Sequence, residues 1–313
     1  MQTRQYKDLF KLISALVGTG GQLATGEQDQ LRHFINRRFQ EAFDESPVWP
    51  RYLVSSEERQ IIALTLSGAT SSTSTSVNQD YKLLGANTTG GTNVYQGITT
   101  NTVIIYNTGS AWRVDTSASA AEQASGTYTV SAGTQQFIEA DTNKKNNVKD
   151  VETWTPRSGS DVLSVVAKQL IPYAETNKTT IGDFNRIHRK KAFLNNSAIE
   201  YDFFVDFDGA NILNIISTTD NTAFVTYKKQ FTPFTLTSGY YDSSAEVPAE
   251  FFNFIAHSAY ADFLRVQNKQ QEAIAEEQVA KTYLALELEK IDIRSNNSTI
   301  NKRFSTYVSR QSR

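Results

Sequence analysis

Cysteine is absent from the 313 residues, and that single absence removes disulfides, thiolate nucleophiles and sulfur-ligated metal sites together. It is compatible with assembly in a reducing compartment. Histidine is nearly as scarce. The three residues His33, His188 and His257 have no second His or carboxylate at metal-ligand spacing. No Ser stands in a Gly-x-Ser-x-Gly pattern, so the turn that presents a serine nucleophile is missing. Neither sign of charge prevails: the net charge of −2 gives no overall pull toward nucleic acid or anionic membrane. No apolar run reaches the ~18 residues of a membrane-crossing helix, and Met1 to Tyr6 holds no apolar signal core. The expectation is a soluble chain, not exported through a cleavable signal, non-enzymatic and without cofactor or metal.

What is present suffices to fold. Hydrophobic residues make up 39% and charged residues 20%, a balance that favours packed structure over disorder. Tyr6, Leu9, Phe10, Ile13, Leu16 and Val17 recur on one helical face. That pattern stops at Gly18-Thr19-Gly20-Gly21, which lacks the Gly-Lys-Ser/Thr ending of a phosphate loop and follows a helix rather than a strand. Thr25-Gly26-Glu27-Gln28 has capping-box spacing, and Leu31, Ile35, Phe39 and Ala42 continue a second helix until Pro47 and Pro50 forbid it. The two helices read as a hairpin.

Composition then shifts. Residues 67–77 form a Ser/Thr-rich, linker-like run, and charges stay sparse to about residue 145. Short β-prone pieces surround Val94-Tyr95-Gln96, Ile104-Ile105-Tyr106, Trp112-Arg113-Val114 and Tyr128-Thr129-Val130, with a hairpin turn at Asn107-Thr108-Gly109-Ser110. Residues 67–147 therefore read as a small all-β module inserted into a main domain. Ordinary charge density returns after 148. Tyr201, Phe203, Val205 and Phe207 alternate with Glu200, Asp202 and Asp206, giving a strand with one largely acidic face. With Ala210 to Ile216 and Ala223 to Tyr227 it reads as a three-stranded meander over 199–228. Asp206-Phe207-Asp208-Gly209 suits a hairpin turn better than a calcium loop, whose closing Glu is missing.

The last segment is helical. Pro248 suits a first helical position and Glu250 a first turn. Phe252, Ile255, Ala256, Ala259, Tyr260, Phe263 and Leu264 line one face, and Asn268 fits a C-cap. A second helix carries Ala273, Ala280, Leu284, Leu288 and Ile291, and its periodicity ends near Arg294. Residues 294–313 contain Arg294, Lys302, Arg303, Arg310 and Arg313 and no acid, with Ile300, Phe304, Tyr307 and Val308 as apolar anchors. They read as an extended arm able to order on a partner. A second basic cluster, Arg186, Arg189, Lys190 and Lys191, could meet DNA phosphates or an acidic surface on a neighbouring copy. Glu200, Asp202 and Asp206 would supply that surface, and this second reading is preferred. Tyr95, Tyr106, Trp112 and Tyr128 could stack on sugars, but they serve equally as β-sandwich core, which is the preferred reading.

Four features in order carry a resemblance: the N-terminal hairpin from Phe10 through Asn36-Arg37-Arg38 to Trp49-Pro50; Ile181-Gly182-Asp183-Phe184-Asn185-Arg186-Ile187-His188-Arg189 ahead of a meander; Phe224-Val225-Thr226-Tyr227-Lys228-Lys229; and Glu246-Val247-Pro248-Ala249-Glu250-Phe251-Phe252 leading into the helical pair. Over residues 1–66 and 148–293 the chain resembles the head-to-tail adaptor (head-completion, tail tubular or connector) proteins of tailed bacteriophages, of the short-tailed type. The resemblance implies an α+β fold with a helical-bundle core made of the N-terminal hairpin and the C-terminal helical pair, joined to an antiparallel meander and the inserted β module. It also implies a virion neck protein, assembled in the bacterial host cytoplasm. Such a protein forms a homo-oligomeric ring, commonly dodecameric, between portal protein and tail nozzle protein. DNA passes through the bore without specific readout, and tail fibres or spikes anchor nearby. The arm from Arg294 to Arg313 would grip the portal. The alternative is a carbohydrate- or receptor-binding structural protein acting through the inserted module.

Overall fold

A computed structural model describes the chain apart from residues 1, 19–21, 72–74, 90, 125, 141–144, 190, 192–200, 202, 207–211, 216–220, 312 and 313; of 204–206, 212–215 and 292–311 it describes the backbone alone. The protein is mixed α+β, with four α-helices and sheets dominated by antiparallel pairs among the described residues. It divides into two compact units. Unit 1 joins the two ends of the chain, Met1–Leu53 and Gln230–Arg313, and unit 2 is Val54–Lys229.

Unit 1 holds all four helices: α1 (Tyr6–Val17), α2 (Thr25–Asp44), α3 (Ala249–Val266) and α4 (Gln270–Gln311). The expected bounds of α1 and α2 hold. Gly18, at φ 81°, ends α1 in the left-handed region. The N-cap of α2 is Ala24, one position before the polar Thr25, so only half of a capping box forms: Glu27 Oε2 accepts from the Ala24 N–H at 3.1 Å. Instead of chiefly closing on each other as a hairpin, α1 and α2 each pack on α3, which also carries α4. The reason lies in the α3 sequence. Phe251, Phe252, Phe254, Ile255, Ala256, Ala259, Ala261, Phe263 and Leu264 are all buried, more than one face's worth, so α3 has to be surrounded.

Edge and stacked aromatic contacts tie this core together: Trp49 meets Phe251 at 4.7 Å, Phe39 meets Phe234 at 4.8 Å, and Phe10 meets Tyr240 at 5.1 Å between ring centroids. Pro248 caps α3 from just outside it and closes a short strand, Glu246–Pro248, paired antiparallel with Thr3–Gln5. Asn268, at φ 64°, ends α3, and Lys269 donates its N–H back to the Leu264 carbonyl at 3.0 Å.

Unit 2 has no α-helix among its described residues. One sheet runs in the order Trp154–Pro156, Thr134–Glu139, Trp112–Thr116, Ile104–Asn107, Asn93–Gly97, Asp80–Asn87, Ile62–Ser67, Ser164–Pro172, Ile212–Ile215, Phe203–Asp206. The strand Thr127–Ser131 joins it beside Asp80–Asn87, in parallel, and pairs in turn with Ser119–Ala124. A second sheet is Ile181–His188, Thr222–Lys229, Leu53–Gln60. The expected turn at 107–110 forms. Gly109 sits at φ 96°, and Asn107 Oδ1 accepts its N–H at 2.8 Å.

One expectation is corrected, the three-stranded meander, and another is placed in a wider setting. The residues 67–147 expected as a module lie within a compact unit that spans 54–229. Strand Ile62–Ser67 pairs with Asp80–Asn87 on one side and Ser164–Pro172 on the other, so the Ser/Thr run after it connects strands within one sheet instead of linking domains. That run is also anchored: Asp161 accepts the N–H groups of Thr70 and Ser71, each at 3.1 Å, and Asn78 brackets Ala69. The meander is also split. Phe203–Asp206 pairs with Ile212–Ile215, but Ile212–Ile215 gives its other edge to Ser164–Pro172. Thr222–Lys229 therefore pairs with Ile181–His188 in the second sheet.

Candidate functional site

A network of buried and half-buried charge lies in unit 1, where α2, α3 and α4 meet. Asp262, 3% exposed, receives Arg38 Nε at 2.8 Å and Arg38 Nη2 at 2.6 Å, Arg37 Nη2 at 2.5 Å, and Arg265 Nη1 at 3.0 Å. Arg38 also donates to Glu41 Oε2 at 2.6 Å, and Arg265 bonds Glu277 on α4. Burial alone would lower the Arg38 guanidinium; the hydrogen bonds and charges of Asp262 and Glu41 outweigh it and hold Arg38 above the ordinary arginine value. Every member has a carboxylate or guanidinium partner, and through Arg265 and Glu277 the cluster clamps α3 to α4.

Glu277 makes the clamp sensitive to acid. Burial would raise its carboxyl, but the hydrogen bond and charge of Arg265, then the charges of Lys281 and Arg38, outweigh that and hold it below the ordinary carboxylate value of 4.5. A lowered folded-state value stabilises the fold above the unfolded value, and the gain is lost as pH falls through the folded one. Glu277→Gln is expected to cost on the order of 0.5 kcal/mol at neutral pH after solvent screening. The difference from wild type should shrink when chemical denaturation is repeated at successively lower pH below 4.5.

A cleft of about 440 Å³ lies at the start of α3, bordered by Arg4, Trp49, Glu250, Asn253, Glu287 and Lys290. Strand Thr3–Gln5 supplies Arg4, whose guanidinium sits 4.5 Å from the Phe252 ring centroid. Arg51 fixes the floor, donating to Glu250 Oε1 at 2.9 Å and to the Gln2 carbonyl at 2.7 Å. Glu287 and Lys290 pair at 2.5 Å on α4. Both signs of charge are present, with no histidine, hydroxyl nucleophile or free acid–base pair.

The predicted contact residues fare differently. Arg186 is exposed on Ile181–His188, where Ile181, Phe184 and Ile187 face the core. Arg189 and Lys191 are exposed just beyond that strand. Lys190, Glu200 and Asp202 lie outside the described residues, and of Asp206 only the backbone, in Phe203–Asp206, is described. The basic cluster and the acidic strand belong to different sheets of unit 2.

Arg294, Lys302, Arg303, Phe304, Tyr307 and Arg310 lie on α4, which continues to Gln311 where an extended arm was expected; Arg313 is outside the described residues. The correction has a simple cause, since residues 294–311 contain neither Pro nor Gly to stop a helix. Tyr95, Tyr106 and Trp112 are buried. Trp112 Nε1 donates to the Lys145 carbonyl at 2.9 Å. Burial and the neighbouring Asp115 push the Tyr106 hydroxyl up to about 12. None of these three offers a face for sugar stacking, and Tyr128 is half-buried.

Among the described residues no group of three or more His, Cys, Asp or Glu side chains is placed to hold a metal ion, and no helix is long and apolar enough to cross a membrane. Sequence reasoning missed the cleft, because it depends on Thr3–Gln5 pairing with Glu246–Pro248, a contact without local signal. Comparison with protein families, curated proteins and solved structures finds no match.

Proposed function

We propose that the chain is the subunit of a ring between the portal and the tail nozzle of a tailed bacteriophage, a non-enzymatic virion protein that completes the head and conducts DNA without reading its sequence. The observation that carries this reading is the order of parts: two N-terminal helices, a β unit set into the chain, Val247-Pro248 leading into α3, and a 42-residue α4 whose last third is basic without a single acid. In support, both ends of the chain build one helical unit. In this reading the helical unit serves as the ring body, and the β unit is left to vary with outer partners such as fibres or spikes. The net charge of −2 also suits a bore through which DNA slides, since tight phosphate binding would hold it. The end of α4, with Arg294, Lys302, Arg303 and Arg310, is the segment assigned to the portal. Exposed Arg186, Arg189 and Lys191 are assigned to the edge between copies.

Electron microscopy of the purified protein mixed with its portal tests the reading. Rings capped on the portal are expected, and deletion of residues 294–313 should abolish docking while unit 1 stays folded. A protein that stays monomeric and ignores the portal overturns the proposal; undiminished docking by the truncated chain overturns the role of the α4 end.

A further inference from the structure

The charges around the cleft at the start of α3 are matched in pairs, with one exception. Glu250 is engaged by Arg51 at 2.9 Å, and Glu287 by Lys290 at 2.5 Å. Arg4 borders the same cleft, and no carboxylate pairs with it among the described residues. Its guanidinium carbon lies 4.5 Å from the centroid of the Phe252 ring, and that residue is 2% exposed. Stacking of this kind fixes the plane of a guanidinium and leaves the N–H groups at its edge unused. The strand that carries Arg4 is fixed as well: Arg4 pairs with Val247, and Arg51 holds the nearby Gln2 carbonyl at 2.7 Å. Asn253, one turn along α3 from Glu250, also borders the cleft. It is half-buried, and its side-chain amide bonds to no other described residue. A positive fork and an amide thus border one cleft with their donors unspent.

We propose that this cleft binds a singly charged carboxylate, held by Arg4 and Asn253, with its apolar body against Trp49, Pro50 and Ile291. The guanidinium fork matches the two oxygens of a carboxylate through two parallel hydrogen bonds, and Asn253 Nδ2 supplies a further donor. Charge selects this ligand over the other anions and cations of similar size. Arg4, Arg51 and Lys290 stand against Glu250 and Glu287, an excess of one positive charge that a monoanion neutralises. A phosphate dianion would leave a negative excess beside two carboxylates, which repel it. A cation would find both acids already paired and Arg4 opposing it. The volume of about 440 Å³ falls within the range of small-ligand sites, about 300–1,000 Å³. Trp49, Pro50 and Ile291 give the cleft an apolar lining beside its charged groups. The carboxylate can belong to a free small acid or to an acidic side chain on a bound peptide, since the recognising chemistry is the same. The site lies wholly in unit 1 and does not depend on ring formation or portal docking.

Isothermal titration of the full chain at mildly alkaline pH tests the site with three probes. Benzoate represents a free small acid, the α-amide of N-acetylglutamate a side-chain carboxylate on a peptide, and inorganic phosphate the dianion. Saturable binding of at least one carboxylate, tighter than that of phosphate, is expected; benzoate alone identifies a free acid as the ligand, and the blocked glutamate alone a peptide side chain. Arg4→Gln should weaken binding by about tenfold or more, the loss of a charge-assisted hydrogen bond. Arg4→Lys, which keeps the charge but lacks the fork, should fall nearly as far. Lys269→Gln removes an exposed charge at the opposite end of α3 and should bind as the wild type does. Helical circular dichroism checks that each variant keeps unit 1 folded. Failure of both carboxylates to bind, tighter binding of phosphate than of either, or a folded Arg4→Gln chain with undiminished affinity overturns the proposal.

Discussion

Replacing Asp262 with alanine is expected to cost unit 1 about 3–5 kcal/mol, the penalty for removing one partner of a buried ion pair. A typical domain has about 5–15 kcal/mol in all, so the variant should lie near the edge of folding. The cost comes from what is left behind. Arg38 is 5% exposed, and two of its hydrogen bonds go to Asp262; Glu41 would remain as its near partner, at the end of a single 2.6 Å bond. Arg37 and Arg265 can turn to water, being 60% and 33% exposed along their side chains. Arg38 cannot. The paired change Arg38→Leu with Asp262→Leu should therefore cost less than Asp262→Ala alone, since apolar residues of similar shape leave no orphaned charge. The measurement is denaturant unfolding followed by helical circular dichroism, because every described α-helix belongs to unit 1. A double variant weaker than the single one would show that the guanidinium finds another partner.

The clamp also marks where sequence reasoning stopped. Helix positions followed from spacing. Leu31, Ile35, Phe39 and Ala42 were read as one stripe, and all four are buried. The stripe on α4 through Ala273, Ala280 and Leu284 is likewise buried. What these stripes met was not legible. Arg38 and Asp262 are 224 residues apart, and charge on a helix says nothing about which distant charge neutralises it. The split of the meander has the same origin. Ile212–Ile215 and Thr222–Lys229 are neighbours in sequence, and short turns favour pairing neighbours. A nine-residue strand, Ser164–Pro172, took the shared edge instead. The Ser/Thr run at 67–77 misled for another reason. Its composition is that of a linker, yet the N–H groups of Ala69, Thr70 and Ser71 are satisfied by Asn78 and Asp161, and a pairing with Asp161, ninety positions away, leaves no trace in local composition. Periodicity followed along the face of Ala273, Ala280, Leu284, Leu288 and Ile291 ends near Arg294 in the sequence, although the α4 backbone continues to Gln311.

Trp112→Ala is expected to cost unit 2 about 3–5 kcal/mol, and the pattern of its effects separates a core residue from a binding platform. Trp112 is fully buried, its ring lies 6.3 Å from that of Tyr95, and Phe137 and Val114 belong to the same cluster. Removing the indole leaves a cavity among side chains held by strand pairing on both sides, since Trp112–Thr116 lies between Ile104–Asn107 and Thr134–Glu139. Collapse into that space is limited because the neighbouring backbones are fixed by their own ladders. The Lys145 carbonyl also loses its donor. A sugar-stacking tryptophan would behave in the opposite way: its loss would remove binding and leave stability nearly unchanged. Unfolding can be followed through Trp154, the other indole of unit 2, while circular dichroism reports the helices of unit 1. The expected result is an early unit 2 transition with the helical transition in place. A single transition that moves as a whole would mean that the two units unfold together, and an unmoved one would return Trp112 to the surface and revive the glycan-binding reading.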